Sequence, residues 1–234
     1  MNLLIIGKKS LLCNLFLQNT QIKKYKVYAR RDINKINFNK YTHILNFAFN
    51  SKLQTLKYKE EIDFDLKLAK IARNYKIIFI MFSSRLVYSG IKCQYKEKLK
   101  LNPESVYGQN KVITEDKIRK IFPKKHLIIR MTTMIYFSLI YNKKRKEKNK
   151  KELFMITMLN SLKNNNKITF DFNKNTYKDF IIPSYYAKSL DALISKNATG
   201  TYNLCSGIKI KVKNMAEKII YGFKKGKVFF NGKN

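Results

Sequence analysis

Two hydrophobic textures alternate along the first 136 positions. Short runs rich in aliphatic and aromatic residues stand at 3–6, 25–29, 43–49, 77–84 and 127–136. Between them, apolar residues recur at helical spacing over 10–19, 63–74 and 107–121. A run of strand length with little polar alternation, such as IIFIMFSS (77–84), predicts a strand covered on both faces. Phe64, Leu66, Leu68, Ile71 and Ala72 predict an amphipathic helix. Strands alternating with helices predict a parallel α/β sheet with right-handed crossovers. In such sheets ligands gather at the carboxyl ends of the strands, which here carry Gly7, Arg30, Ala48, Ser84 and Tyr136.

The texture changes after residue 151. LFMITMLNSL (153–162) has helical spacing, and KNNNK makes a polar turn. Strand-like pieces follow at 167–172 and 179–182, a helix at 185–194 and a strand at 202–204. The end, from VKNMAEKIIYGF on, reads as helical and then basic. No internal repeat is present. The expected division is a nucleotide-binding core over 1–150. Residues 151–234 are expected to return partly to that core and otherwise to form a small lobe.

Composition adjusts this picture. A chain of 234 residues with 45% hydrophobic positions holds enough apolar material for a core. Cys13, Cys93 and Cys205 lie far apart, without a CxxC pair, and His43 and His126 are the only histidines. No metal site and no disulfide framework are expected, which suits a reducing cytoplasm. No secretory leader is evident. The longest apolar stretch, 127–141, is shorter than the roughly 20 residues of a spanning helix and contains Arg130, so no membrane span is expected.

The net charge is +34, from 49 basic and 15 acidic residues. A polyanionic partner is one reading and compositional bias the other. Lysine outnumbers arginine 42 to seven, whereas base readout favours arginine. The charge is spread along the chain, and its densest run, KKRKEKNKK (143–151), falls where a surface loop is expected. Nucleic acid is therefore the less favoured partner. In either reading the field attracts a ligand that carries phosphates.

The candidate chemistry lies in NPESVYGQNK (102–111). Tyr107 and Lys111, four apart, share one helix face. An ammonium beside a phenol favours phenolate, which makes tyrosine usable as an acid/base near neutrality. In a chain with 15 tyrosines and so many lysines, a solvated helix face has the same look. The context adds weight. Ser84 ends a buried strand 23 residues earlier, and a hydroxyl there can share a carbonyl oxygen with Tyr107.

Several segments carry a resemblance: SSRLVYSG (83–90), Glu97, Pro103, YGQNK (107–111), LNFAF (45–49), IIRMTTMIY (128–136), KDFIIPSYYAKSL (178–190) and GTYNLCSG (200–207). Their order and spacing resemble the extended short-chain dehydrogenases/reductases, the NAD-dependent epimerase/dehydratase family of nucleotide-sugar enzymes. The resemblance implies a Rossmann-type doubly wound parallel sheet, a small C-terminal substrate lobe and a nicotinamide cofactor. It implies catalytic roles for Ser84, Tyr107 and Lys111, with Lys111 also contacting the cofactor. It implies a nucleotide-sugar substrate met by Arg85, Arg130 and Asn203, and it is compatible with a homodimer. Dehydratase members carry an acidic residue where this chain has Arg85, so the expected activity is that of a reductase or epimerase, in surface polysaccharide synthesis, rather than elimination.

The chain departs from the pattern in its opening turn. The family's GxxGxxG is here Gly7, Ser10 and Cys13. Those glycines make a tight turn, admit the pyrophosphate and allow close helix packing. Gly7 keeps the first role, Ser10 places a hydroxyl near the phosphates, and Cys13 fills space, so cofactor binding is expected to be weakened rather than lost. Arg30 and Arg31 end the second strand and suit a 2′-phosphate, which favours NADP; Asp32 keeps NAD open. Ala48 completes the expected cofactor contacts. SYYAK (184–188) replaces paired aspartates of the family, and the end at Asn234 suggests a trimmed lobe or one supplied by a partner. Two other readings stay open: a catalytically weakened member that binds a nucleotide or a protein, and a basic nucleic-acid binder.

Overall fold

The computed structural model of the chain describes residues 1–88, 95–136 and 154–232. Strands form at the apolar runs and helices at the periodic segments. The first unit begins with β1 (Leu3–Ile6), α1 (Leu11–Asn19), β2 (Tyr25–Tyr28), β3 (His43–Asn46), α2 (Phe64–Asn74), β4 (Ile78–Ser84), α3 (Val106–Ile121) and β5 (His126–Met131). The chain leaves this unit after Thr132 and forms β6 (Thr133–Met134), α4 (Phe154–Asn165), β7 (Lys167–Phe170), β8 (Tyr177–Lys178) and β9 (Phe180–Ile181). The first unit resumes at Pro183 with α5 (Pro183–Ser195) and β10 (Gly200–Leu204). The second unit ends with β11 (Ile210–Lys211), α6 (Val212–Phe223) and β12 (Lys227–Phe230).

The six strands of the first unit make one all-parallel sheet in the order β2-β1-β3-β4-β5-β10. Every residue of β1 is buried, as are all of β3 and β5, as expected of strands covered on two faces. One core gathers Leu4, Ile6, Ile44, Phe79, Met81 and Ile128 with Leu68 and Ala69 of α2 and Ile118 of α3. Elsewhere in the unit, Phe16 of α1 meets Tyr186 of α5 edge to face at 6.5 Å. β1 lies between β2 and β3, so the winding direction reverses there. A reversal of this kind opens a crevice at the carboxyl ends of the strands.

Two of the apolar runs are shorter or divided compared with the sequence expectation. The run 43–49 stops pairing at Asn46, because the Asn46 side chain turns back to accept a hydrogen bond from Ala48 N at 2.9 Å. The run 127–136 is divided: β5 ends at Met131, and Thr133–Met134 pairs with Phe180–Ile181 in the second unit. Between β2 and β3 the chain makes short 3-10 turns, Arg30–Lys35 and Phe38–Lys40, and among the described residues no further strand lies beside β2. β2 is therefore an edge strand, and Lys23, Lys24 and Lys26 line it with exposed charge.

The second unit has its own core of Met155, Met158, Leu162, Ile168, Phe170, Phe180, Val212 and Ala216. β7 pairs with β12 in parallel and β8 with β11 antiparallel. Sequence reading took the KVFF of β12 for part of a basic tail; Phe230 instead packs 5.2 Å from Phe170. Cys93 and the basic run 143–151 lie outside the described residues. Among the described residues, no helix is long and apolar enough to cross a membrane.

Candidate active site

The turn after β1 is shaped by Gly7, whose φ of 113° lies in the region open to glycine. A Cβ there would stand 2.8 Å from Ala48 N and from the Phe47 carbonyl carbon. The turn thus lies directly against the exit of β3. Ser10 N donates to Gly7 O at 2.8 Å, and Ser10 stands at the N-cap of α1 without its hydroxyl capping the helix. That hydroxyl and the first amides of α1 sit where an anion is favoured. Cys13 is fully buried, and burial pushes its thiol up to about 11. Its space is found beside Tyr186, whose phenol donates to Leu12 O at 3.4 Å. Burial, and then the neighbouring Cys13, raises the pKa of that phenol well above the usual value.

After β2, the Arg30 guanidinium lies over the Phe64 ring at 4.5 Å. Arg31 is 85% exposed, with its Nε 3.9 Å from Asp32 Oδ1. Both arginines line a cleft of about 460 Å³ together with Asn34, Asp63, Phe64 and Lys67. Asp63 faces inward, accepting hydrogen bonds from Leu66 N, Tyr58 and Thr114, while the exposed Glu61 also lines the cleft, so its rim carries Arg30, Arg31 and Lys67 against one outward carboxylate.

Tyr107 and Lys111 both belong to α3, which starts on a cap made by Ser105, whose hydroxyl accepts from Gly108 N at 3.1 Å. Gly108 lets the helix lie on the turn Arg85–Val87, where a methyl group would overlap the Leu86 carbonyl oxygen. Ser84 caps that same turn, its Oγ accepting from Leu86 N at 3.2 Å. Lys111, 3% exposed, donates from Nζ to the Phe82 carbonyl of β4 at 2.7 Å and to Asp65 Oδ2 at 3.0 Å. Burial opposes the ammonium, and Asp65, Tyr107 and Asp63 together outweigh it, so the Lys111 pKa stands above its ordinary value, while burial also raises the carboxyl pKa of Asp65. Phe49 bridges the pair: Lys111 Nζ lies 4.4 Å above its ring, and Tyr107 meets it edge-on at 5.5 Å. Lys111 is thus fixed to β4 two residues before Ser84, and α3 lies against the turn that Ser84 caps.

The three residues expected at the substrate are placed differently from one another. Arg85 is half-buried on the turn after Ser84, and burial lowers its pKa. Arg130 is 3% exposed. It donates to both carboxylate oxygens of Glu115, to the Tyr88 hydroxyl and to the Glu97 carbonyl. Asn203 accepts from the Tyr88 hydroxyl at 2.9 Å and donates through its side chain to the Tyr95 carbonyl and through its backbone to Glu97 Oε1. Arg130 and Asn203 thus join β5, β10, α3 and the segment 95–97 in one internal network. Sequence reading did not single out Asp65 or Phe49, whose pairing with Lys111 crosses distant parts of the chain.

These residues fit a dinucleotide: a turn that only glycine can make, a hydroxyl at a helix start, and a cationic cleft beyond the second strand. Cys13 does not obstruct them, since its side chain is accommodated in the core. The family model for the RmlD substrate binding domain matches residues 36–226. No curated protein sequence matches the chain. Among solved structures, a dTDP-4-dehydrorhamnose reductase from Yersinia enterocolitica is 20% identical, with a TM-score of 0.77 over 99% of this chain and 84% of that one. The corresponding reductase from Bacillus anthracis str. Ames, in complex with NADP, is 15% identical, with a TM-score of 0.77 over 99% and 85%. A UDP-N-acetylglucosamine 4-epimerase from Methanobrevibacter ruminantium M1, in complex with UDP-N-acetylmuramic acid, is 15% identical, with a TM-score of 0.78 over 100% and 86%. The matched span covers most of the residues whose geometry has just been described, and the chain belongs to the family of the RmlD substrate binding domain.

Proposed function

We propose that the chain is an NAD(P)-dependent nucleotide-sugar reductase or epimerase acting at a sugar carbonyl or hydroxyl, in the cytoplasmic synthesis of surface polysaccharide. The observation that carries this reading is the bond of Lys111 to the Phe82 carbonyl of β4, two residues before Ser84, with the helix that bears Tyr107 lying against the turn that Ser84 caps. In this reading Ser84 donates to the sugar oxygen, Tyr107 gives or takes its proton, and the Lys111 ammonium supports the phenol electrostatically. The cation Arg85 follows Ser84, where elimination chemistry would call for a carboxylate, and it is the residue best placed to meet the substrate.

A bound nicotinamide cofactor supplies or accepts the hydride. Gly7, Ser10 and Ala48 would hold its diphosphate, with Cys13 packed behind them, and Lys111 would reach its ribose. Arg30 and Arg31 favour NADP through a 2′-phosphate; among the similar solved structures the Bacillus anthracis reductase holds NADP and MoeE5 holds NAD, so a nicotinamide cofactor of either kind is supported.

The test is NADPH oxidation with dTDP-4-dehydrorhamnose, run beside epimerisation of UDP-sugars followed by NMR. Tyr107→Phe should lower turnover by about 10²-fold or more and leave NADPH binding, read by fluorescence, unchanged. Turnover equal to that of the unmodified chain would remove the catalytic assignment.

A further inference from the structure

We infer that Asp65 is a positioning residue of the acid/base set: it holds the Lys111 ammonium and determines how many of its N–H groups remain for Tyr107 and the cofactor. The inference rests on the reading above. An ammonium has three N–H donors. Two are committed inside the protein, one to Asp65 Oδ2 at 3.0 Å and one to the Phe82 carbonyl at 2.7 Å. A single donor is left, beside Phe49 and Tyr107. Lys111 therefore offers one hydrogen bond and not a pair.

Asp65 is itself fixed from the other side. Its Oδ1 accepts from Asn46 Nδ2 at 2.6 Å, and Asn46 Oδ1 accepts from Ala48 N at 2.9 Å. Gly7 lies against that same Ala48 amide. A continuous set of contacts thus runs from the glycine turn, through Asn46 and Asp65, to Lys111.

A buried ion pair is often no more stabilising than an apolar pair of equal volume, so stability alone does not account for it. The titratable groups facing Lys111 are Asp65 and Asp63 of the α2 segment and Tyr107 of α3. Asp63 is engaged by Leu66 N, Tyr58 and Thr114 and makes no bond to Lys111. It does not substitute for Asp65. Without the Asp65 charge, only Asp63 and Tyr107 are left against burial, and the balance at Lys111 moves toward the neutral amine.

The test compares Asp65→Asn and Asp65→Glu with the unmodified chain, reading kcat and KM against pH and the Lys111 ε-carbon shift by NMR, assigned through Lys111→Arg. Asp65→Asn should lose about tenfold or more in kcat between pH 7 and about pH 9, with KM for the sugar little changed, while its Lys111 signal titrates in that interval. Asp65→Glu should keep Lys111 protonated across the interval and lower kcat at every pH, because the longer side chain moves the ammonium. If Lys111 titrates alike in all three proteins, or if the Asp65→Asn pH profile parallels the unmodified one, the inference fails. Should Asp65→Asn not fold, a Lys111 signal in Asp65→Glu that titrates below about pH 9 would equally overturn it. Absence of turnover in the unmodified chain would sink the catalytic reading instead, and the NMR titration would still decide the role of Asp65.

Discussion

At the scale of single residues, two helical glycines make a paired experiment. Gly108 sits in α3 against the Leu86 carbonyl, whereas a Cβ on Gly222 of α6 would meet nothing within 4 Å. Helix propensity alone favours alanine over glycine by about 1 kcal/mol at either position. At Gly222 that gain stands, so Gly222→Ala should raise stability by about 0.5–1 kcal/mol. At Gly108 the methyl group strikes backbone, which yields less readily than a side chain, and overpacking of about 1–3 kcal/mol outweighs the propensity gain. Gly108→Ala should therefore lower stability in denaturant titration and shift α3, with Tyr107, away from Ser84. The tyrosine and lysine were readable from sequence because their spacing is local, one helical turn. Asp65 was not, because it reaches Lys111 from 46 residues away and nothing in the local pattern distinguishes it from the neighbouring Asp63.

At the scale of elements, the clearest tie outside the core joins α2 to α3. Glu60, just before α2, accepts from Lys70 of α2 and from Lys117 of α3, each at 2.7 Å. These hydrogen bonds, from Lys117 first and then Lys70, hold the Glu60 carboxyl down at about 2. A carboxyl lowered by folding adds stability that is fully present above its unfolded value near 4.5 and is lost as the pH falls toward 2. The glutamate is exposed, so the effect is small and screened by salt. Melting temperature followed from pH 6 to pH 2 should fall less steeply for Glu60→Gln than for the unmodified chain, and the difference should fade at high salt. The elements themselves were legible where apolar content was dense, as in β1, β4 and α2. They were illegible where tertiary context decides. KVFF became a strand only because β7 offers an edge to pair with.

At the scale of the whole molecule, the charge and the internal networks belong to one description. Among the described residues the buried acids are Asp63, Asp65 and Glu115, all holding structural bonds, and Asp179 and Asp191 are engaged by Ser206 and by Thr20 and Gln21. With only 15 acids against 49 bases, few carboxylates are left to neutralise the lysines. Compact folding then works against self-repulsion, which salt screens within a Debye length of about 10 Å at 0.1 M. Raising NaCl from about 50 to about 500 mM should increase the melting temperature by about 3–6 °C, equivalent to about 1–2 kcal/mol for a chain of this size. A flat or falling curve would mean that the ion pairs contribute more than the repulsion costs.

The same lysines have a second office at the edge of the sheet. β2 ends the six-stranded sheet with a row of unpaired backbone groups, and Lys23, Lys24 and Lys26 stand along it. Such an edge is a template for another chain, and like charge is what keeps two copies apart. Screening removes that protection just as it relieves the repulsion within one molecule. Conformational stability and colloidal solubility thus pull in opposite directions, and the ionic strength that best supports the fold is not the one that best keeps the molecules separate.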